Sequence, residues 1–174
     1  TNRYVLLTVD TEALPKRASL DHVKRLIWGV HDNGSAGIRE MCSLGDEFNA
    51  KHVFFVDLCG AYPYLDEMRE VVEWLDGQGQ DVQLHTHPEY LPESFWGEHG
   101  LDSRPQYMNQ YADDARAEFV IQHFGKLIAQ ITGKEILAHR AGSFRWNACL
   151  IRALKAANIP LSFNNSMCAF HAGQ

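Results

Sequence analysis

The stretch Gln83-Leu84-His85-Thr86-His87-Pro88-Glu89-Tyr90 decides how the rest of the chain is interpreted. Apolar and polar residues alternate from position 82 to position 87, which predicts a β-strand whose successive side chains face opposite sides. His85 and His87 then lie on one face, where two imidazoles can bind one metal ion. Pro88 ends the strand, so the pair lies at its carboxyl end.

The carboxyl ends of strands are where parallel α/β sheets and barrels bind ligands. A single His-x-His pair is equally compatible with two histidines on a solvated strand end. The remaining motifs of the chain therefore decide between a metal site and a solvated pair.

Length, charge and hydropathy narrow the classes of protein. At 174 residues the chain is long enough for one complete core, and we expect a single domain over 1–174. The net charge is −6 and no basic run is present, which disfavours nucleic acid and anionic membranes as partners. The longest apolar runs, such as Tyr4–Val9 and Val53–Val56, are far shorter than a membrane span.

The four cysteines indicate the redox compartment. Because Cys42, Cys59, Cys149 and Cys168 include no close pair, they do not form a zinc-finger pattern, and free thiols in a reducing compartment are favoured over disulfides. No secretory signal pattern opens the sequence. Both observations favour a cytoplasmic location.

The first strand carries two acids at its end. Tyr4–Val9 is almost continuously apolar, which predicts a strand buried on both faces of a parallel sheet. Asp10 and Glu12 follow it two residues apart, so they share a face if the extended conformation continues. The alternative is that one of them caps a helix or closes a turn.

Strand-like and helix-like segments alternate along the chain, which predicts an α/β fold with a parallel sheet that is open or partly closed. The fold we expect is a distorted or incomplete parallel (β/α) barrel of about five βα units. We expect the apolar residues at helical spacing, including Met41, Leu44 or Gly45, Phe48 and Ala115, to belong to the core. After the first strand the predicted elements are a short helix near Ser19–Ile27, a helix from Ile38 to Asn49, a strand Lys51–Asp57, a helix from Leu65 to Gly77, the histidine strand, a helix Tyr111–Thr132 with Gly133 as its C-cap, a strand Ile136–Arg140, a helix Asn147–Asn158 and a strand Leu161–Ser166.

Aromatic side chains occur in the connections that follow the strands. Residues 88–110 hold three prolines and no clear periodicity, and long irregular connections of this kind usually have a function. The aromatics could stack on sugar rings or only fix the loops in place. As candidates for substrate contact we take Trp28, Tyr62, Tyr90, Trp96 and Trp146.

Three motifs converge on one edge of the predicted sheet: the Asp10 and Glu12 pair, the His85 and His87 pair, and Arg140. Imidazole and carboxylate ligands without thiolate suit zinc, with cobalt, nickel or iron as alternatives. A site of two histidines and one carboxylate leaves coordination positions open, which is typical of catalytic metals. A guanidinium at this edge can bind a carboxylate through two hydrogen bonds.

The motifs L-T-V-D-T-E, D-V-Q-L-H-T-H-P and H-R-A-G-S-F-R-W, in this order, resemble those of the polysaccharide deacetylases of the NodB-type superfamily, carbohydrate esterase family four. The D-T-E form is similar to variants linked to the biosynthesis of surface polysaccharides such as lipopolysaccharide. The resemblance implies a metal-dependent hydrolase that removes an acetyl group from an amino sugar or a polysaccharide precursor. It makes Asp10 the general base, Glu12 and His85 metal ligands, and Arg140 the residue that orients the base.

The sequence departs from the family pattern at three places. One residue rather than three separates His85 from the second histidine, His87. Gly142 stands where the family has a proline. The late Leu-x-His motif, which supplies the general acid, has no counterpart before Gln174, and the surroundings of His171 do not match it. Three explanations stay open: the chain is C-terminally truncated, as we expect, the acid comes from another residue, or activity is lost.

The resemblance leaves three functions in competition. The first is metal-assisted deacetylation, in which Asp10 takes a proton from water, and the metal and a loop N–H near Asp57 to Tyr62 stabilise the oxyanion. The second is a catalytically inactive carbohydrate-binding or regulatory module on the same scaffold. The third is a hydrolase of non-peptide amide C–N bonds, such as those of cyclic amides.

Overall fold

The computed structural model describes residues 3–14, 21–104 and 106–165. The strands are β1 (Leu7–Thr11), β2 (Val30–His31), β3 (Gly34–Ser35), β4 (His52–Asp57), β5 (Asp81–Thr86), β6 (Ala138–Ala141) and β7 (Leu161–Ser162). The α-helices are α1 (His22–Leu26), α2 (Ile38–Glu47), α3 (Leu65–Gly77), α4 (Glu93–Glu98), α5 (Asp114–Thr132) and α6 (Ala148–Ala156). Short 3-10 turns span Tyr62–Tyr64, Pro88–Tyr90, Tyr107–Tyr111 and Gly142–Phe144.

Five strands form one parallel sheet in the order β1-β4-β5-β6-β7. Each strand pairs with the next sheet strand along the chain, and β2 and β3 form a separate small hairpin. Right-handed connections that always advance in one direction place their helices on the same face of the sheet. This is the winding of a (β/α) barrel, and it confirms the predicted fold class.

The helix-covered face of the sheet carries the main hydrophobic core. Phe54 and Val56 of β4 and Leu84 of β5 are fully buried on this face, and they belong to one cluster with Met68 of α3 and Val120 of α5. Alternate residues of a strand point to the opposite side, so the intervening positions form a second, inner face. That inner face holds the polar motifs.

The register aligns the functional residues across the inner face. Asp10 of β1 is opposite Phe55 of β4, and one step further along, Asp57 of β4 is opposite His85 of β5. His85 is in turn opposite Arg140 of β6. Since residues opposite each other in a parallel pair share a face, these side chains meet at the carboxyl ends of the strands.

The first strand differs from its prediction. It spans Leu7–Thr11 rather than Tyr4–Val9, and it is not buried on both faces, since Leu7 is 43% exposed. Tyr4 and Val5, which precede the strand, are 83% and 86% exposed. The reason is its position, because within the described residues β1 pairs only with β4 and is an edge strand. The apolar composition of this segment predicted burial on both faces, which an edge strand does not have.

The predicted core stripe of α2 is confirmed in part. Gly45, the predicted alternative to Leu44, is buried together with Cys42, whereas Met41, Leu44 and Phe48 are exposed. A Cβ at Gly45 would lie 2.5 Å from the carbonyl oxygen of Ala50, so the following turn packs directly onto the helix at this glycine. Ala115, also predicted to face inward, is exposed in the first turn of α5, which begins only at Asp114. The C-cap at Gly133, with a φ of 69°, is confirmed.

The connection between β5 and α5 is more regular than its composition predicts. It contains the helix α4 as well as two 3-10 turns. Phe95 and Trp96 of α4 are fully buried, and Phe95 packs against Phe124 of α5 with ring centroids 5.7 Å apart. These two aromatics fix the connection to the core, which is the second of the two roles considered for them.

A polar group is buried on the helix-covered face beside the core. Nε2 of His139 is 2.9 Å from the hydroxyl of Thr86, which is 2.7 Å from the hydroxyl of Tyr111. His139 is completely buried. Burial, assisted by repulsion from His85, lowers the pKa of His139 from 6.5 to about 3, because a charged imidazole would lose its hydration there.

The depressed pKa of His139 predicts a pH dependence of stability. Below pH 6.5 the unfolded chain binds a proton that the folded protein excludes, so stability falls from pH 6.5 down to about pH 3. We expect the free energy of unfolding of the wild type to fall by up to about 1.4 kcal/mol per pH unit more steeply than that of His139→Gln. Urea unfolding across this window measures both slopes.

The exposed His31 provides the control, because His31→Gln removes a histidine without removing a buried group. Equal slopes for the wild type and His139→Gln would contradict the assignment.

Candidate metal centre

Three side chains from two strand ends meet on the inner face. The potential ligand atoms of Glu12, His85 and His87 all lie within 4.8 Å of one another. Oε2 of Glu12 is 3.2 Å from Nε2 of His85 and 2.8 Å from Nε2 of His87. The two imidazoles are nearly perpendicular, with ring centroids 4.9 Å apart. The structure thus brings together the three residues predicted from the sequence as metal ligands.

The main chain of Arg140 orients His85. Nδ1 of His85 is 2.7 Å from the carbonyl oxygen of Arg140, its cross-strand neighbour. A carbonyl oxygen only accepts hydrogen bonds, so Nδ1 carries the proton and donates it. In the neutral ring, Nε2 then presents its electron pair to the space beside Glu12. This is the tautomer and the orientation that a metal-binding histidine requires.

His87 lies between two carboxylates. Its Nδ1 is 2.8 Å from Glu89 and its Nε2 is 2.8 Å from Glu12. Burial alone lowers the pKa of His87, but the hydrogen bonds to Glu12 and Glu89 outweigh it and raise the pKa to about 10. Burial likewise raises the pKa of Glu12, yet its hydrogen bonds to His85 and His87 hold that pKa well below its usual range. Without a cation, His87 is therefore the positive charge of the cluster.

Asp57 holds the main chain of His87 in place. This carboxylate is fully buried, and its Oδ1 accepts hydrogen bonds from the backbone N–H groups of His87 and Cys59, both at 3.0 Å. Its Oδ2 accepts a third from Gly60 at 2.9 Å. Three backbone donors stabilise the buried charge and join the carboxyl ends of β4 and β5.

These contacts correct the expectation about the oxyanion. The N–H groups of Cys59 and Gly60 donate to Asp57, and that of Tyr62 donates to the carbonyl of Cys59. An N–H that is already bonded within its loop is not available to a substrate. The prediction therefore does not hold for these three amides, and for the other N–H groups of the loop it stays a prediction.

Arg140 connects the acid of β1 to the metal cluster. Its Nη1 donates to Oδ1 of Asp10 at 2.7 Å, and its Nη2 donates to the hydroxyl of Thr8 at 3.0 Å. The guanidinium lies over the ring of Phe55, 4.3 Å from its centroid, which fixes its plane. Since the carbonyl of the same residue orients His85, one residue positions both Asp10 and a candidate ligand.

The five aromatic candidates are placed differently. Tyr90 lies beside the cluster, with its ring centroid 5.7 Å from that of His87. Tyr62 packs edge-on against Phe95, and Trp146 is 48% exposed. Of the five, only Tyr90 is placed next to the candidate ligands by a direct contact.

Two of the aromatics belong to packing instead. Trp28 is half-buried against Trp74 of α3, with the guanidinium of Arg39 4.4 Å from its ring centroid. Trp96 is fully buried, and the guanidinium of Arg116 lies 4.7 Å from its ring centroid. A fully buried side chain cannot contact a substrate, so the prediction for Trp96 is wrong. A connection rich in aromatics has to bury some of them to become ordered.

Two supporting residues were missed from the sequence, although signals for both were present. Asp57 ends the strand next to the histidine strand, so the rule that carboxyl ends converge applies to it as well as to Asp10. Glu89 follows His87 by two residues, within reach of its ring. An acid beside a metal-binding histidine commonly binds the second ring nitrogen.

Solved structures share this fold, and two of them are compared with it. The first is a crystal structure of a protein assigned as a polysaccharide deacetylase from Mycobacterium smegmatis, with 13% identity and a TM-score of 0.61; the match covers 90% of this chain and 49% of that one. The second is a mutant of a pseudoenzyme of the CE4 family (carbohydrate esterase family four) with restored enzymatic activity. It has 11% identity and a TM-score of 0.57, with 91% of this chain and 43% of that one covered.

The five-stranded sheet and its helices correspond to about half of a CE4 barrel domain. The chain spans less than half the length of these two solved structures. No family model and no curated protein matches the sequence. The shared fold places the carboxyl ends of β1, β5 and β6, and with them the candidate ligands, at the edge where parallel barrels bind their ligands.

The cysteines and the helices of the described residues relate to two expectations, the reducing compartment and the partners. Cys42, Cys59 and Cys149 are free thiols, and Cys168 lies outside the described residues, as does His171. Among the described helices, none combines the length and the apolar character that crossing a bilayer requires.

The cluster fits a divalent cation by its chemistry. Two imidazole nitrogens and one carboxylate oxygen converge, and no thiolate is among the ligands, which suits zinc and also cobalt, nickel or iron. The second nitrogens of both histidines are bound to a carbonyl and a carboxylate, which are the usual outer partners of such ligands. Nothing in the donor set conflicts with a cation at this position.

Removing a candidate ligand should remove the metal. We expect His85→Ala and His87→Ala each to lower the affinity for Zn²⁺ by more than about 100-fold, since even the loss of a supporting residue costs 10–100-fold. Metal content after dialysis and calorimetric titration with Zn²⁺ measure the effect. His31→Ala, an exposed histidine on the β2–β3 hairpin, should bind as the wild type does. Full metal content in both cluster variants would refute the site.

Proposed function

We propose that the protein is a metal-dependent deacetylase that removes an acetyl group from an amino sugar or a polysaccharide precursor. The observation that carries the proposal is the double role of Arg140, whose guanidinium binds Asp10 and whose carbonyl binds His85. Hydrolysis by activated water uses a base close to a metal site, and Arg140 connects the two. The likeness of the fold to CE4 proteins supports the choice of this reaction.

In this proposal Glu12, His85 and His87 hold the cation, for which zinc is the first candidate. Such an ion lowers the pKa of bound water and polarises the acetyl carbonyl. Zinc-type chemistry needs open coordination positions, and a set of three protein ligands leaves them. The D-T-E form of the first motif further leads us to place the substrate among precursors of surface polysaccharides.

Asp10 acts as the base through one particular oxygen. Its Oδ1 accepts the hydrogen bond from Arg140, so Oδ2 is the oxygen that receives a proton from the attacking water. The side chain of Asp10 is 32% exposed, whereas that of its partner Arg140 is only 11% exposed. The carboxylate is therefore accessible to water and substrate, while the guanidinium that orients it is enclosed.

A second candidate is a catalytically inactive carbohydrate-binding module. One of the solved structures with this fold is a mutant of a CE4 pseudoenzyme, which favours it. An intact Asp10–Arg140 pair beside three convergent ligands favours the enzyme. A hydrolase of cyclic amides would use the same residues and would differ only in the substrate it accepts.

Acetate release decides between these functions. With Zn²⁺ or Co²⁺ added, we expect the wild type to release acetate from acetylated hexosamines and Asp10→Asn to be slower by about 10²–10⁴-fold, because general base catalysis contributes this much. Asp10→Asn should bind the metal normally, since Asp10 is outside the ligand cluster. A wild type that binds metal and carbohydrate without releasing acetate would indicate the inactive module.

A conservative change separates the two roles of Arg140. Arg140→Lys keeps the positive charge and the carbonyl that binds His85, but one ammonium cannot reproduce the hydrogen bonds to both Asp10 and Thr8. We expect kcat to fall by about 10–100-fold, which corresponds to the loss of one charge-assisted hydrogen bond. Zn²⁺ affinity should remain within a few-fold of that of the wild type, because the substitution leaves the ligands and the carbonyl that binds His85 in place. A loss of metal as large as that of His85→Ala would show that the guanidinium serves the cluster rather than Asp10.

A further inference from the structure

Gly142 stands directly behind the ring of His87. It follows β6 and opens the turn Gly142–Phe144. A Cβ at this position would lie 2.4 Å from both Cε1 and Nδ1 of His87 and 2.7 Å from Nε2, and these three ring atoms are its nearest neighbours. Carbon atoms do not approach this closely without displacing each other. The absence of a side chain at residue 142 creates the space that the imidazole occupies.

The backbone conformation does not require this glycine. Gly142 is not among the residues with positive φ, whereas Ser143 and Phe144, which follow it, have φ values of 52° and 55°. Two consecutive non-glycine residues in the left-handed region are costly and persist only where the surroundings hold them. If glycine served flexibility, it would be expected at one of those two positions. At residue 142 the requirement is for space.

The ring of His87 has little freedom to move away from an added side chain. Its backbone N–H is bonded to Asp57, its Nδ1 to Glu89 and its Nε2 to Glu12. On its other sides lie the rings of His85 and Tyr90, with centroids at 4.9 Å and 5.7 Å. Rotating the ring away from residue 142 breaks the contacts to Glu12 and Glu89 together.

We propose that Gly142 is a positioning residue of the metal site, whose missing side chain forms the slot in which His87 completes the ligand set. Asp57 holds the main chain of His87 and Glu89 holds its outer nitrogen, while Gly142 admits the ring between them. The proposal rests on the metal site of the proposed function but not on the deacetylation itself.

The first test is metal binding. Metal-free Gly142→Ala is titrated with Co²⁺ and followed by the visible absorption spectrum, which reports the number and geometry of the ligands. We expect the affinity to fall by about 10–100-fold, as for other residues that orient a ligand, with a changed spectrum. Gly97→Ala is the matched control, because a Cβ at Gly97 in α4 meets nothing within 4 Å. Wild-type affinity and spectrum in Gly142→Ala would overturn the proposal.

The second test needs no metal. In the metal-free protein, Gly142→Ala is expected to lower the melting temperature by roughly 2–12 °C, the usual effect of overpacking in a chain of this size. In the His87→Ala background, where no ring fills the slot, the same substitution should have almost no effect. If Gly142→Ala does not fold, the double variant with His87→Ala should fold. Equal losses in both backgrounds would overturn the steric role of Gly142.

These two tests separate the proposals. A wild type that binds neither Zn²⁺ nor Co²⁺ would end the metal-dependent function, while the melting temperatures would still show whether residue 142 and His87 are coupled. Uncoupled melting temperatures in a protein that binds metal through His85 and His87 would end only the role of Gly142.

Discussion

The parallel pairing of β4, β5 and β6 is the constraint on which the rest of the structure depends. It places Asp57, His85 and Arg140 side by side at the carboxyl ends of three neighbouring strands. A shift of one residue in any of these pairs would turn a side chain to the helix-covered face, because side chains alternate along a strand. The hydrophobic residues between them, Phe54, Val56 and Leu84, fix the register by their burial. The same packing that stabilises the core therefore positions the polar site.

The charges of the site suit a cation. Asp10, Glu12, Asp57 and Glu89 surround it. Arg140 pairs with Asp10, and the protonated His87 pairs with Glu12 and Glu89. Asp57 accepts hydrogen bonds from backbone N–H groups. Carboxylates with reduced access to water are costly unless they are paired. Without metal, the proton on His87 supplies part of the compensation, which is why its pKa is raised. A divalent cation would replace that proton and compensate more of the negative charge than the proton does.

Much of the architecture was accessible from sequence because it depends on periodicity. The alternation of strands and helices, the C-cap at Gly133 and the convergence of Glu12, His85 and His87 follow from local patterns and from one rule about strand ends. The failures have a common cause in tertiary context. Leu7 of the edge strand β1 is apolar yet exposed, and Trp96 is aromatic yet enclosed. Neither fact is present in the residue itself or in its near neighbours along the chain.

The spacing of the histidines becomes intelligible when Gly142 is considered with it. One intervening residue leaves His87 directly beyond the end of β5, so its ring has to approach the neighbouring strand end at β6. Any residue with a Cβ at position 142, proline included, would occupy that space. From sequence, the short spacing and the glycine look like two unrelated departures from a family pattern. In the structure both concern one contact, that between His87 and residue 142. A ligand set is defined by the empty volume beside it as much as by the residues that donate the electron pairs.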